Sequence, residues 1–459
     1  MTDLPPASLD AWADLARKAL KGAPLEGLTR PDADGLPVRP LYVAGDTEMV
    51  RAPRPTPADG RGWDIRVPVR AETPAQANPV VLEELREGAA SILLSGPAVA
   101  DPDALARTLD GVALELAPVG LDAGSNGVAA ADALAAAAKG APRARLMLHL
   151  DPISDFAVAG GIAGGIEDAL ARTAQAAARH AGPYPLASLF LASGRAAHEA
   201  GGTIAQELGF ALAAAAELLR AATGAGLPAP RALAATVLGL SLDAEYLDGV
   251  AKVRAARLMW RSFSRAAGAE TPAVIEARSS RRMLDARDPW PNLLRLTAAG
   301  FAGAVGGADA VVLDGFTAAA GVPDAFARRL ARNTQLVLME EAQLGRVDDP
   351  AAGSWFLDAR TRDLAQAGWA EFQRIEAEGG LVAALKAGAV QAPIAAARQA
   401  RQAALAEAGA VMVGVNRFVD PEPRPAPVEA PPTTTAPGGD ACAPLTPVRW
   451  SAPFEEAAR

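Results

Sequence analysis

Between residues 63 and 316 the sequence repeats one alternation eight times: a short β-rich run, then a longer stretch able to carry helical periodicity. The runs are WDIRVPV (63–69), SILLSG (91–96), GVALEL (111–116), ARLMLHLD (144–151), SLFLAS (188–193), ATVLGLSL (235–242), AVIEARSS (273–280) and DAVVLDGF (309–316). Strands joined by crossover helices run parallel, so the pattern predicts an α/β fold with one parallel sheet. Eight such units over roughly 250 residues are the size of a closed (β/α)8 TIM barrel. The barrel is expected over 63–345.

The flanks are simpler. Ser8 and Asp10 open an amphipathic run with Leu9, Trp12, Leu15, Ala16 and Ala19 on one face, which predicts a helix ending near Gly22. Residues 25–58 are rich in Pro, Gly and Asp and read as an extended arm that needs another surface to lie on, so 1–62 form an N-terminal helix and arm. After the barrel, residues 346–418 read as a helical extension. It contains a turn, a strand-like SWFLD, a helix over 360–378, further helix reaching Gly409, and a terminal strand VMVGVNRF (411–418). Residues 419–459 read as a Pro-rich linker and a docking tail whose anchors are Trp450 and Phe454.

Composition excludes several classes. The chain has 459 residues, half of them apolar, a net charge of -9 and no long Lys/Arg cluster, which argues against nucleic acid or an anionic membrane as partner. One cysteine, Cys442, leaves no intramolecular disulfide and fits a reducing compartment. With no apolar leader region at the N-terminus and no long uncharged apolar run, the expected location is cytoplasmic.

Residue patterns alone reveal no catalytic set. The glycines of AGGIAGGIED (159–168) match no phosphate loop and are expected to serve backbone fit. The histidines His149, His180 and His198 lie in separate units with no metal-ligand spacing, so no metal site is expected. His149 reads as a packed, hydrogen-bonded strand residue, and His180 as a helix-end residue favoured by the dipole. Asp151, Ser193, Asp243, Arg278 and Asp314 fall where strands give way to loops, the usual place for a barrel site, although helix N-caps demand the same residue types.

Several long segments carry a resemblance. DPWPNLLRLTAAGFAGAVGGADAVVLDGF, RRLARNTQLVLMEEAQLGRVDDPAAGSWFLD and WAEFQRIEAEGG resemble the methylmalonyl-CoA mutase family, as do PLYVAGD (40–46), AKVRAARLMW (251–260) and VGVNRF (413–418). The resemblance implies an acyl-CoA-binding barrel in an isomerase that interconverts methylmalonyl-CoA and succinyl-CoA, in propionate metabolism, by adenosylcobalamin radical chemistry. Three departures accompany it. No histidine here stands in the DxHxxG motif of the family's cobalamin-binding domain, and little chain follows Phe418 to build one. Where catalytic chains read SGYHxxEAG this chain reads SGRAAHEAG, placing Arg195 and Ala196 at the family's Tyr and His, while His198 lies about 200° further round a helix. Where they read WTIRQYAGF this chain reads WDIRVPVRA, placing Pro68 at the active-site Tyr.

The resemblance therefore implies the small, non-catalytic subunit of a heterodimeric mutase, with no catalytic residue of its own and inactive alone. Its expected partners are a homologous large subunit, which binds the adenosylcobalamin, and acyl-CoA, with no cofactor bound by this chain. The alternative is the barrel chain of a split acyl-CoA mutase whose cobalamin domain is encoded separately. Arg66, Pro68, Asp151, Arg195, Ala196, Asp243 and Arg278 are expected to line a vestigial cavity.

Overall fold

The computed structural model describes residues 8–55, 60–430, 439 and 441–457. Its centre is a closed barrel of eight parallel strands: β1 (Asp64–Arg70), β2 (Ser91–Ser95), β3 (Val119–Asp122), β4 (Leu146–Leu150), β5 (Ser188–Ser193), β6 (Thr236–Leu242), β7 (Val274–Ser279) and β8 (Ala310–Val312). Closure comes from β8, which pairs Val311 with Ile65 on one side and with Ala277 on the other. Helices cover the outer face, so strands such as β6 are buried along their whole length and read as continuous apolar runs. Trp63, Trp260, Phe156, Phe190 and Phe210 are fully buried in the packing around the barrel. Burial contributes roughly 1.5–3 kcal/mol for each large apolar side chain.

One strand differs from the sequence expectation. GVALEL (111–116) forms turns, with Leu116 84% exposed, and the third strand is Val119–Asp122. Gly111, at φ +78°, lies just beyond the preceding helix Pro102–Thr108. It is 119–122 that finds the parallel register, Ile92 opposite Val119 and Leu94 opposite Leu121. Within β3, Gly120 is closely packed: a Cβ there would lie 3.2 Å from the side-chain ends of both Leu93 and Met147, which would have to shift. A four-residue strand carrying Gly gives little β signal.

The flanking segments lie on the barrel. The first helix, Leu9–Ala19, is capped by the Ser8 hydroxyl as expected, and none of its residues is buried. The arm that follows is tied to its own chain: Asp32 pairs with Arg360, Asp34 accepts from the Ala205 N–H at 3.3 Å, and Asp349 accepts from the Ala52 N–H at 2.8 Å. SWFLD is not a strand; Ser354 caps the long helix Trp355–Ala377 and Trp355 begins it. That helix crosses Ile204–Gly224 closely, because Gly209 and Gly368 stand where a Cβ would come within 2.6 Å of Glu371 and 2.8 Å of Leu208. VMVGVNRF is likewise not a strand. The Asn416 side chain ties the loop by accepting from the Met412 N–H and donating to the Leu405 and Ala410 carbonyls.

The tail docks on its own chain. Residues 428–430 pair with 322–323, while 431–438 fall outside the described residues. From Cys442 onward the chain crosses the C-terminal end of the barrel as a strap. Its N–H groups bond in turn to carbonyls after β4, β5 and β7: Cys442 to Gly160, Leu445 to Ala157, Val448 to Glu199 and Trp450 to Arg282. Trp450 is buried with Leu405, Met412 and Val415, and Phe454 packs against the same cluster. Glycines in the 159–168 segment make room for the strap, since a Cβ on Gly160 would lie 2.8 Å from the Cys442 carbonyl oxygen.

Candidate functional site

Alternate residues of a strand share a face, so β7 sends both Glu276 and Arg278 into the barrel. At the lower level Arg66 on β1 pairs with Glu276, meets Asp64 at 2.6 Å and donates through Nε to the Ser91 hydroxyl at 2.9 Å. At the upper level Arg278 pairs with Asp122 on β3 at 2.8 Å and with Asp314, beyond β8, at 3.0 Å. Burial alone would lower the Arg278 pKa, but Asp314 and Asp122 hold it above its ordinary value. Burial likewise opposes ionisation of Asp314, yet Arg278 and Arg281 keep its carboxyl well below the usual range. The axis is thus filled by satisfied ion pairs. An extended ligand threaded through it would have to break them and leave buried charges uncompensated.

Above these layers a cavity of about 190 Å³ remains at the mouth, lined among others by Asp122, His149, Asp151, Asp155, Ser193 and Arg195, with Pro447 of the strap in its wall. Asp151 caps the helix Pro152–Ala159 by accepting from the Ser154 N–H at 3.0 Å; burial outweighs that bond and pushes its pKa up to about 6. Burial, with the Asp151 and Asp122 carboxylates close by, pushes Asp155 up to about 7. His149 sits at an irregularity in the β4–β5 pairing with φ +46°, an uncommon backbone state for a non-glycine residue, which turns the ring inward. Burial holds its imidazole below its ordinary pKa despite the nearby Glu276 carboxylate.

The site positions expected from the sequence separate into three groups. Arg66 and Arg278 are in the ion-pair layers, while Asp151, Ser193, Arg195 and Ala196 line the cavity. Pro68 lies on β1 beside Leu93 and does not line the cavity. Asp243 pairs with Arg282 at 3.0 Å, in a second buried network to the side. There Glu207 joins His198 at 2.9 Å and Lys252 at 2.7 Å; burial opposes its ionisation, but Lys252 and His198 hold its pKa down at about 2. His198 therefore faces Glu207 and does not line the cavity. His180 meets Asp132 at 2.7 Å on an outer helix. His149 is packed as expected, buried against the Leu121 backbone with Nε2 3.9 Å from Glu276.

Sequence reading missed Asp122, Glu276 and Asp155. The first was hidden by the misplaced third strand. The second sits mid-strand, where only the alternation of VIEARS, with Glu and Arg two apart, signals an inward polar pair. The third was hidden inside a helix.

The described residues do not fit a corrin over this mouth. The strap covers it, and no histidine stands at the mouth with a nitrogen open to solvent: His149 lies under the strap, His198 is buried on Glu207, and His180 lies away on an outer helix. No described helix is long and apolar enough to cross a membrane.

Fold and site together define a parallel (β/α)8 barrel of the enzyme type whose axis is closed by internal ion pairs. Residues 92–436 match the family described as methylmalonyl-CoA mutase. The chain is 36% identical, over 99% of its length and 76% of the relative's, to a methylmalonyl-CoA mutase small subunit of Streptomyces virginiae. It is 38% identical, over 84% of its length and 65% of the relative's, to a probable methylmalonyl-CoA mutase small subunit of Mycobacterium tuberculosis. A methylmalonyl-CoA mutase of Cereibacter sphaeroides is less similar, at 27% over 89% of this chain and 64% of the relative. This chain belongs to the methylmalonyl-CoA mutase family. It spans about two thirds to three quarters of the length of the relatives it matches.

Proposed function

We propose that this chain is the non-catalytic small subunit of a heterodimeric, adenosylcobalamin-dependent methylmalonyl-CoA mutase, and that it stabilises a large subunit holding both the cofactor and the acyl-CoA. The observation that carries the reading is the Arg278 bridge to Asp122 and Asp314 over the Arg66–Glu276 layer, which occupies the path an acyl-CoA would need. Arg195 and Ala196 at the mouth add to it, since neither supplies the acid or hydroxyl groups that the family's Tyr and His provide.

The partner-facing element in this reading is the helix Leu9–Ala19. Its apolar face, with Leu9 54% and Leu15 66% exposed, is left uncovered by the described residues, and a homologous large subunit is the occupant. The arm beyond it and the strap are engaged with this chain's own barrel, so the first helix carries the contact. Co-expression of the full chain with a large mutase subunit tests the assignment. A stable one-to-one complex on gel filtration, with the large subunit more resistant to heat than alone, is the expected result. Two chains that elute separately under all salt conditions would refute it.

A further inference from the structure

A second cavity, of about 400 Å³, opens beside the barrel and away from its axis. It is bounded by the loops after β6 and β7, the first turn of the helix Asn292–Gly306, the helix Gln391–Ala406 and the loop 411–413, with Trp450 of the strap as one wall. Met283, Leu294, Leu405, Val411, Val413 and Trp450 give it an apolar lining. Three of these stand largely open to water, Leu294 at 75% exposed, Val411 at 54% and Val413 at 52%. Covering apolar surface is favourable in proportion to the area removed from water, so the cleft gains most from an aliphatic occupant. Its volume falls within the roughly 300–1,000 Å³ typical of small-molecule sites.

The charged groups of the lining decide what head group that occupant carries. Glu245 pairs with Arg401 at 3.2 Å and Asp243 with Arg282 at 3.0 Å, so these charges are committed to one another. Arg295 differs. Its Nη1 donates to the Asn292 side-chain oxygen at 2.7 Å and its Nη2 to the Val413 carbonyl at 2.5 Å, which fixes the guanidinium at the cleft with N–H groups to spare. Asp285 and Asp288 act on it only from a distance, and Asp285 accepts from the Arg287 and Asp288 N–H groups at 3.1 and 3.3 Å. Burial outweighs their attraction and lowers the Arg295 pKa, the sign of a cation short of a counter-ion.

We propose that this cleft binds a medium-chain aliphatic carboxylate, with its chain along Met283, Leu294, Leu405 and Trp450 and its carboxylate on the spare N–H groups of Arg295. A guanidinium matches a carboxylate in geometry as well as in charge, and an unbranched methionine at the wall adapts to a flexible chain. The site lies apart from the ion-paired axis, so it goes beyond the subunit role and does not depend on it.

Calorimetric titration of the full chain at pH 7 with butyrate, hexanoate, octanoate and octanol tests the proposal. One saturable site per chain is expected for octanoate. Each methylene added from butyrate to octanoate should strengthen binding by about threefold. The charged head should favour octanoate over octanol by about tenfold, and Arg295→Met should erase that preference while octanol binds as before. Leu294→Asp, at an exposed position where the fold tolerates a charge, should weaken octanoate by about tenfold or more. Heat that does not saturate, an affinity that does not rise with chain length, an octanoate preference that survives Arg295→Met, or undiminished octanoate binding by Leu294→Asp would overturn it.

Discussion

Arg278 and Asp122 join opposite walls of the barrel: the strands that carry them, β7 and β3, lie four steps apart whichever way the ring is counted, and their side chains meet at 2.8 Å. A contact across the full diameter is possible only if nothing else occupies the axis. The same guanidinium reaches the buried Asp314 carboxylate at 3.0 Å, so one side chain closes the upper barrel.

Removing that side chain should cost stability. Arg278→Met leaves the buried Asp314 carboxylate with the half-exposed Arg281 as its ion-pair partner, while Asp122, half exposed at the cavity, suffers less. Urea unfolding is expected to show a loss of about 3 kcal/mol, and the double change Arg278→Met with Asp314→Leu should recover part of it.

Asp155 predicts a pH dependence of opposite sign to the usual carboxylate. Its folded pKa, about 7, lies above the ordinary value, so the folded state holds an extra proton between roughly pH 4 and 7. Its contribution is therefore most favourable below pH 4 and is lost as pH rises through 7. Asp155→Asn should stabilise the chain at pH 8, on the order of 2 kcal/mol, and change little at pH 4. Denaturant midpoints at the two pH values check this.

The strap depends on Gly160. Its φ of +75° and the Cys442 carbonyl at 2.8 Å from a would-be Cβ leave no room for a side chain. Gly160→Ala is expected to lift the strap without unfolding the barrel. Hydrogen exchange at the Cys442 and Leu445 amides should accelerate, while exchange in β6 stays slow.

The helix Leu9–Ala19 separates assembly from folding. Leu15→Glu places a charge on an exposed face, so the unfolding free energy of the chain alone should move by less than about 0.5 kcal/mol. Co-purification with a large subunit is expected to fall sharply; complex formation at wild-type yield would place the contact elsewhere.

Much of this architecture is legible in the sequence because parallel buried strands such as TVLGLSL are apolar from end to end and stand apart from amphipathic helices. VGLD did not stand out, because four residues with a central glycine carry almost no β propensity and GVALEL nearby carries more. SWFLD and VMVGVNRF read as strands from composition, but a serine cap on Leu357 and an asparagine tying its own loop, both short-range side-chain bonds, decided otherwise. At the site, Arg278 stood out as a charge at a strand end, while Arg66 on β1 and Arg195 on the short helix after β5 came from the family resemblance. The partners Glu276 and Asp122 did not stand out, since pairing across a barrel depends on register and no local pattern encodes it. The tail shows the same limit. Trp450 announces an anchor, and only the fold shows that the anchored surface belongs to its own chain.

Adenosylcobalamin-dependent conversion of methylmalonyl-CoA to succinyl-CoA tests the central claim most directly, measured with the full chain alone, with a separately supplied cobalamin-binding domain, and with a large mutase subunit. A barrel closed by Arg278, Asp122 and Asp314 predicts turnover only in the presence of the large subunit. Turnover by this chain with nothing more than the cobalamin-binding domain would contradict it, because substrate would then have to pass where those side chains meet.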